Sequence, residues 1–203
     1  DYGRESGFPI IGPVAGGICF VLSRLVDACT VFEFGSGFGY SASWFGRALP
    51  PDGRIVLTDH DPANLERAED FLERSPLTAQ VAFRTGDAVS IVADEPGPFD
   101  VVLLDHEKHR YVEGFEAVRN KVSPGGLVVA DNILAGAVSF ESVRSRLMGP
   151  DPDSDVGNDD GPVETAADGI AAYLARLESD PAFESVVLPV DEGLAVSVRD
   201  LDE

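Results

Sequence analysis

Lysine, cysteine and long apolar runs are scarce in this sequence of 203 residues. Its two cysteines, Cys19 and Cys29, are too few for a disulfide framework, which indicates a reducing cytoplasm. No apolar run is long enough to cross a bilayer, so no membrane insertion is predicted. Only Lys108 and Lys121 are lysine, which leaves 13 of the 15 basic residues as arginine. A lysine at an unusual position therefore carries more weight here than in an average chain.

Acidic residues, in contrast, are abundant. The chain has 36 Asp and Glu against 15 Lys and Arg, which gives a formal net charge of −21. Such a surface makes nucleic acid an unfavourable partner, because nucleic-acid binding depends on Lys and Arg that neutralise phosphates. We interpret the charge as that of an enzyme from a high-salt cytoplasm, where screening removes the self-repulsion. The alternative is an acidic protein from an ordinary cytoplasm.

A glycine-rich loop follows the first predicted strand. Residues 31–34 indicate a buried strand, Gly35, Gly37 and Gly39 follow at once, and residues 40–48 indicate a helix. Only glycine turns this tightly and lets another molecule approach the backbone closely. Free N–H groups and the helix dipole at such a loop favour a nucleotide-type ligand. The alternative is an ordinary strand-to-helix turn.

Strands and helices alternate along the rest of the chain, which predicts a single α/β domain over residues 1–203 with a doubly wound, mostly parallel sheet. Seven strands are predicted, at residues 31–34, 54–58, 80–84, 99–104, 127–130, 183–188 and 194–199, the last two as a hairpin. Helices are predicted at residues 13–27, 40–48, 62–75, 108–121 and 166–177, with a further short helix after residue 88. Residues 149–161 indicate a flexible acidic loop, either a lid or a tolerated insertion.

Polar residues collect where the predicted parallel strands end, and ligands of open α/β sheets bind at that edge. Asp59, at the end of the second strand, can accept hydrogen bonds from both hydroxyls of a ribose. A helix-capping role is the alternative for Asp59, but Asp61 is better placed as a cap, with Pro62 next to it.

Three oxygen-bearing side chains follow two strands that are neighbours in this type of sheet. Asp105 follows the fourth strand, and Asp131 and Asn132 follow the fifth. Two carboxylates and an amide oxygen suit a hard cation such as Mg²⁺ or Ca²⁺ rather than Zn²⁺. Each Asp alone could instead cap a helix, but the Asp-Asn pair facing a third Asp favours a metal site.

Lys108 lies three residues after Asp105, at the start of a predicted helix. A lysine there opposes the helix dipole, so its position has no structural explanation. Partial burial and a nearby dication would both favour the neutral amine, which could then act as a general base. The alternative is a solvated surface lysine.

These residues resemble a known family, the class I S-adenosylmethionine-dependent O-methyltransferases. The resemblance is to the divalent-metal-dependent group that contains catechol and caffeoyl-coenzyme A O-methyltransferases, and it covers residues 8–199. Its motifs are Glu33-Phe-Gly-Ser-Gly-Phe-Gly-Tyr-Ser41, Leu104-Asp-His-Glu-Lys-His-Arg-Tyr111, Pro124-Gly-Gly-Leu-Val-Val-Ala-Asp-Asn-Ile-Leu134 and Leu188-Pro-Val-Asp-Glu-Gly-Leu-Ala-Val-Ser-Val198. It implies a Rossmann-like methyltransferase fold.

The resemblance also implies a role for each matching position. Asp105, Asp131 and Asn132 would bind the metal, expected to be Mg²⁺, and Lys108 would be the catalytic base. S-adenosyl-L-methionine would be bound by Glu33, Gly35, Ser36, Gly37, Gly39, Ser41, Asp59, His60, Asp87, Ala88, Asp105 and His106. In this scheme the glycine loop and Ser41 hold the methionine part, Asp59 the ribose, and Asp87, Ala88 and His106 the adenine.

The implied reaction is methyl transfer to a metal-chelated hydroxyl of a small acceptor, for which a catechol-type diol is the natural candidate. The acceptor is not carried over, because Ala135 replaces the family's usual Trp, and Ala171 and Leu174 stand where Arg and Asn are frequent. Methylation of a hydroxylated tRNA base is the first alternative. A nicotinamide-dependent oxidoreductase is the second, although its pyrophosphate site favours Gly-x-Gly-x-x-Gly. A homodimer is compatible with the sequence, which does not give the oligomeric state.

Overall fold

Seven strands form the sheet that organises this protein. The computed structural model describes Gly3, residues 7–134 and residues 166–201. The strands are β1 (Thr30–Phe34), β2 (Arg54–Asp59), β3 (Gln80–Thr85), β4 (Phe99–Leu104), β5 (Val122–Ala130), β6 (Phe183–Leu188) and β7 (Leu194–Arg199). The helices are α1 (Pro13–Leu25), α2 (Tyr40–Ala48), α3 (Pro62–Glu73), α4 (Ala88–Asp94), α5 (Tyr111–Val118) and α6 (Ala166–Glu178). Two short 3₁₀ helices, Lys108–Arg110 and Arg119–Lys121, flank α5.

The strand order is β3-β2-β1-β4-β5-β7-β6. Strands β1 to β5 pair in parallel, and β7 is antiparallel to both β5 and β6. The chain order reverses between β1 and β4, and this is the position at which doubly wound folds bind ligands. The predicted seven-stranded, mostly parallel α/β sheet with a C-terminal hairpin is confirmed.

Both faces of the sheet are covered, as expected for central parallel strands that are apolar along their whole length. Phe32, Phe34 and Leu104 pack into one core with α4, α5 and α6. Val31 and Leu103, on the opposite face, pack into a second core with α1, α2 and α3. The alternation of neighbouring residues between two buried faces fixes the register of the strands.

The prediction of one continuous helix over residues 108–121 is wrong. The segment is a 3₁₀ turn at Lys108–Arg110, the short helix α5, and a second 3₁₀ turn at Arg119–Lys121. Residues three apart eclipse one another in a 3₁₀ turn. Lys108 Nζ and the Tyr111 hydroxyl accordingly lie 2.8 Å apart.

Strand β5 is longer than predicted, since it begins at Val122 and not at residue 127. Phe99 pairs with Val122, the register shifts, and Val101 then pairs with Leu127. Gly125 has a φ of 76°, which allows this irregular stretch. Residues 123–126 therefore form an irregular stretch inside β5.

Two predicted features, the acidic loop at residues 149–161 and the departure at Ala135, lie outside the described residues. Among the residues that are described, none of the helices combines the length and apolarity needed to cross a membrane.

Candidate functional site

The glycine loop after β1 packs tightly against the end of β4. Gly35, Gly37 and Gly39 have φ values of 76°, 51° and 80°, a region that L-residues with a Cβ adopt at a cost. A Cβ on Gly35 would lie 2.4 Å from the carbonyl oxygen of Asp105. The first glycine of the loop therefore lies in direct backbone contact with the residue that follows β4.

Asp59 ties this loop to the neighbouring strand. Its Oδ2 accepts a hydrogen bond from the Gly37 amide at 3.0 Å, and its Oδ1 accepts from the Asp61 amide at 2.8 Å. Asp61 in turn caps α3 by accepting from the Ala63 amide at 2.9 Å, which confirms the predicted cap. Asp59 is therefore free of the capping role and lies where the loop and β2 meet.

A cavity of about 370 Å³ opens beside Asp59 at the carboxyl edge of the sheet. It is lined by Gly35, Thr58, Asp59, His60, Gly86, Asp87, Ala88, His106, Glu107 and Arg110. A smaller cavity of about 30 Å³ lies on the other side of the loop, lined by residues that include Ser36, Gly37, Ser41 and Asp105. Gly35 lines both cavities, so the fold gathers the predicted cofactor residues around one continuous edge.

Glu33 is fully buried below the loop. Its Oε2 accepts a hydrogen bond from Ser41 Oγ at 2.7 Å. Within the described residues, its Oε1 and the buried Ser36 Oγ have no hydrogen-bond partner. Burial raises the pKa of Glu33 to about 8, opposed by the Ser41 hydrogen bond and helped by the charge of Asp105. Unpaired buried polar atoms cost free energy, so these two indicate where a polar ligand would bind.

Asp87 caps α4 and also binds an arginine that the sequence reasoning missed. Its Oδ2 accepts from the Ser90 amide at 3.3 Å, and Arg110 Nη1 donates to its Oδ1 at 2.7 Å. The Arg110 hydrogen bond holds the pKa of the Asp87 carboxyl well below its usual range. Arg110 lies within the quoted motif that ends at Tyr111, and the prediction assigned it no role.

His106 forms one wall of the larger cavity. Its ring lies 5.2 Å from the rings of Phe34 and Tyr111, and its burial lowers its pKa to about 4. The ring is therefore neutral at physiological pH. His60 and Glu107 also line this cavity, with His60 Nε2 3.8 Å from Glu107 Oε1.

Two of the three predicted metal ligands, Asp105 and Asn132, contact one cationic atom. Lys108 Nζ lies 3.1 Å from Asp105 Oδ1 and 2.9 Å from Asn132 Oδ1. Strands β4 and β5 are paired, so Asp131 follows the strand next to the one that precedes Asp105. The structure thus brings together Asp105, Asn132 and Lys108, as the sequence predicts, and adds the Tyr111 hydroxyl, to which Lys108 donates at 2.8 Å.

Electrostatics mark this cluster as unusual. Burial raises the pKa of Asp105 to about 6 although Lys108 lowers it. Burial, followed by the charge of Asp105, raises the pKa of Asp131 to about 7. In the described part of the chain no three His, Cys, Asp or Glu side chains form a metal-binding group, so the candidate set depends on the Asn132 amide as its third member.

Two more members of the cluster were missed. The Tyr111 hydroxyl donates to the Asp131 carbonyl oxygen at 2.9 Å, which fixes the loop after β5. Glu192, in the turn between β6 and β7, accepts a hydrogen bond from Asn132 Nδ2. Placing Glu192 beside the site requires knowing that β7 pairs with β5, which the hydrophobic pattern does not show.

Two of the three positions that depart from the family pattern lie on α6. Ala171 is buried, and Leu174 packs against the core on that face of the sheet. Gly169 on the same helix approaches the Lys108 turn closely, because a Cβ there would lie 2.5 Å from the Lys108 carbonyl oxygen. Helix α6 therefore packs directly against the backbone of the Lys108 turn.

Comparison with known proteins gives consistent results. The family model described as O-methyltransferase matches residues 10–200. A catechol O-methyltransferase from Niastella koreensis is 30% identical over 204 residues, covering 98% of this chain and 82% of that protein. Caffeoyl-CoA O-methyltransferase 1 of Arabidopsis thaliana is 29% identical, covering 88% of this chain and 67% of that protein. The crystal structure of the O-methyltransferase TomG from Streptomyces achromogenes, in complex with SAM, superposes with a TM-score of 0.80 at 26% identity, covering 98% and 86% of the two chains.

Proposed function

The chain belongs to the O-methyltransferase family, and we propose that it transfers the methyl group of S-adenosyl-L-methionine to a metal-chelated hydroxyl of a small acceptor. Several of its relatives are named as O-methyltransferases of catechol or caffeoyl-CoA. The observation that carries the proposal is the convergence of Asp105, Asn132 and Lys108 directly beside the glycine loop.

The cofactor proposal is supported by the two cavities that share Gly35. The larger cavity would take the adenosine part, with Asp59 at the ribose and His106 along the adenine. The smaller cavity would take the methionine part, because its lining includes Ser36, whose Oγ has no hydrogen-bond partner among the described residues. The TomG structure, which contains SAM, has the same fold.

The residues present fit a divalent cation. Asp105 and Asn132 already point oxygens at a positively charged atom, and Asp131 is buried with a raised pKa. Hard oxygen donors of this kind suit Mg²⁺. A cation held by Asp105, Asp131 and Asn132 would supply Lewis acidity that lowers the pKa of an acceptor hydroxyl.

Lys108 is proposed to receive the proton of that hydroxyl at Nζ. Its side chain is about four-fifths buried and is positioned by Asp105, Tyr111 and Asn132. The glycine loop and β4 would hold the sulfonium methyl and the acceptor oxygen in line, and such positioning supplies much of the rate. Exclusion of water by α6 and the Lys108 turn would protect the transfer.

A small hydroxylated aromatic is favoured as the acceptor over a tRNA base. The formal net charge of −21 opposes binding to a phosphate backbone. The nicotinamide alternative loses its basis, because the family model covers residues 10–200 and the acidic cluster has no role in hydride transfer.

A screen of catechols and other hydroxylated aromatics with methyl-labelled cofactor tests the proposal. We expect labelled product with vicinal diols, loss of product in excess chelator, and recovery on addition of Mg²⁺. Turnover that is unchanged by the chelator would refute the metal dependence. Binding of NAD in place of S-adenosylhomocysteine would refute the cofactor.

A further inference from the structure

Asn132 is held from two sides by groups of opposite hydrogen-bonding character. Its Nδ2 donates to the Glu192 carboxylate, and its Oδ1 accepts from Lys108 Nζ at 2.9 Å. An ammonium only donates and an ionised carboxylate only accepts. Only one of the two amide orientations satisfies both partners, so the Asn132 oxygen must face Lys108.

The backbone places Glu192 at this position. Strand β7 pairs antiparallel with β5, with Ala195 opposite Ala130, so the β6–β7 turn lies beside the loop after β5. The Leu134 amide donates to the Glu192 carbonyl oxygen at 2.8 Å. Gly193 has a φ of 86°, and a Cβ there would lie 2.7 Å from Leu134 Cγ. The hairpin turn and the loop that carries Asn132 are therefore one packed unit.

Glu192 is solvent-exposed, which limits how its charge can act. Water screens an exposed charge, so its attraction for a cation in the cluster is weak. A hydrogen bond to Nδ2, in contrast, sets which amide atom faces the cluster at any ionic strength. The stronger expected effect of Glu192 is therefore on the orientation of Asn132.

We propose that Glu192 is a positioning residue that holds the Asn132 amide with its oxygen, and not its nitrogen, toward the divalent-cation site. The inference rests on the proposed function, because it concerns the proposed metal site. Without Glu192 the amide can turn over and present two N–H donors to a cation, which removes a ligand. Such partners of metal ligands are typically worth about 10- to 100-fold in metal affinity.

The first test measures Mn²⁺ affinity from the electron paramagnetic resonance signal of free Mn²⁺, with S-adenosylhomocysteine bound. We expect Glu192→Ala to weaken Mn²⁺ binding about tenfold or more. Glu192→Gln should stay close to the wild type, because the glutamine carbonyl still accepts from Asn132 Nδ2. Glu184→Ala, an exposed change on β6, is the matched control and should have no effect. An equal loss in Glu192→Gln and Glu192→Ala would show a charge effect and overturn the proposal.

The second test repeats Glu192→Ala in an Asn132→Asp background. An aspartate has two equivalent oxygens and needs no orienting partner, so Glu192→Ala should no longer weaken Mn²⁺ binding there. Any remaining change should be small, because Glu192 is exposed and water screens its charge. A loss of the same size in both backgrounds would identify Glu192 as a direct ligand and refute the positioning role.

Failure of this inference differs from failure of the proposed function. If the wild type binds Mn²⁺ and Glu192→Ala binds it equally well, only the role of Glu192 is refuted. If the wild type binds no Mn²⁺, the proposed metal site and the role of Glu192 are both refuted. Thermal unfolding of each variant shows whether a loss of binding comes from a loss of fold.

Discussion

Two sets of buried acids in this protein differ in what lies opposite them. Asp180 has no exposed side-chain surface. Its Oδ1 lies 2.7 Å from Arg119 Nη2, and its Oδ2 lies 2.8 Å from Arg176 Nη1. The Arg119 hydrogen bond, despite burial, holds the pKa of the Asp180 carboxyl far below its usual range. Asp131, equally buried, has a pKa raised to about 7, first by burial and then by the charge of Asp105.

The same contrast separates Glu95 from Glu33. Burial alone would raise the pKa of Glu95, but Arg54 and Arg84 lower it below its usual value. Among the described residues no arginine offsets the burial of Glu33, whose pKa rises to about 8. Burial is common to both sets, and the arginine partner decides whether the pKa of the acid is lowered or raised. The buried acids with arginine partners, Asp180 and Glu95, contribute to stability. The buried acids without one, Glu33 and Asp131, lie toward the carboxyl edge of the sheet, where a ligand or a cation can offset the cost of their burial.

The largest expected effect comes from removing an acid of the second set. Asp131→Asn should lower metal-dependent turnover by about a thousandfold, because loss of a Lewis acid raises the activation free energy by several kcal/mol. The same change should not lower stability at pH 8, because it removes a buried charge with no arginine partner. Turnover with Mg²⁺ and urea unfolding measure the two effects. A variant that loses stability but keeps its turnover would place Asp131 in the structural set.

The two lysines allow a matched comparison. Lys108→Ala should lower kcat by about a hundredfold or more, as expected for loss of a general base, and should leave affinity for S-adenosylhomocysteine nearly unchanged. Lys121 donates to the carbonyl oxygens of Ala93 and Glu95 at the end of α4, at 2.7 and 3.0 Å. Lys121→Ala should therefore lower Tm and keep kcat. Steady-state kinetics and calorimetry distinguish the two, and unchanged turnover in Lys108→Ala would remove it as the base.

Removing an acid of the first set should affect stability alone. Asp180→Asn leaves Arg119 and Arg176 without their shared carboxylate, which should cost about 3 kcal/mol of folding free energy. This corresponds to a fall in Tm of about 6 to 12 °C for a chain of this size. Turnover measured below the transition should match the wild type. A tenfold loss of turnover in a folded variant would contradict the division into two sets.

The pH dependence of stability sharpens the comparison for Glu33. The folded protein keeps the Glu33 proton up to a pH of about 8, whereas the unfolded chain loses it near the usual 4.5. Its contribution to stability is therefore complete below the unfolded pKa and is lost as pH rises toward 8. Glu33→Gln should flatten this fall, by at most about 1.4 kcal/mol per pH unit for one proton. Urea unfolding of the cofactor-free protein from pH 5 to 9 measures it, and parallel curves for the two proteins would contradict the account.

The smallest effect concerns the acids on the surface, which belong to neither set. If the net charge of −21 reflects a high-salt cytoplasm, the wild-type Tm should rise by a few degrees as KCl increases from low to molar concentration. A flat curve would end this interpretation and leave an ordinary acidic protein.

Much of the fold could be predicted because periodicity and glycine chemistry act locally. The limits of β4, β6 and β7 and of α2 match the prediction, since each run is bounded by turn residues or by the glycine loop. The break of the 108–121 helix was not predictable. The first 3₁₀ turn contains Lys108, whose contact with Asn132, 24 residues away, is not visible in the local sequence pattern.

Site residues that directly follow a parallel strand were predicted, and site residues contributed by other elements were missed. Asp105, Asp131 and Asn132 follow paired parallel strands, so their neighbourhood follows from the βαβ rule. Arg110 joins the site because its long side chain reaches Asp87. Glu192 joins it because β7 pairs antiparallel with β5, and a single sequence does not show this pairing. The partners of an acid, and hence its role, depend on these tertiary contacts.

The central claim is that the acids without arginine partners hold a cation beside the cofactor. A crystal grown with Mn²⁺ and S-adenosylhomocysteine tests it directly through the anomalous signal of the metal. We predict one peak in contact with oxygens of Asp105, Asp131 and Asn132, next to the bound cofactor product. Side chains turned away from one another, with no peak between them, would contradict the account even if the fold is unchanged.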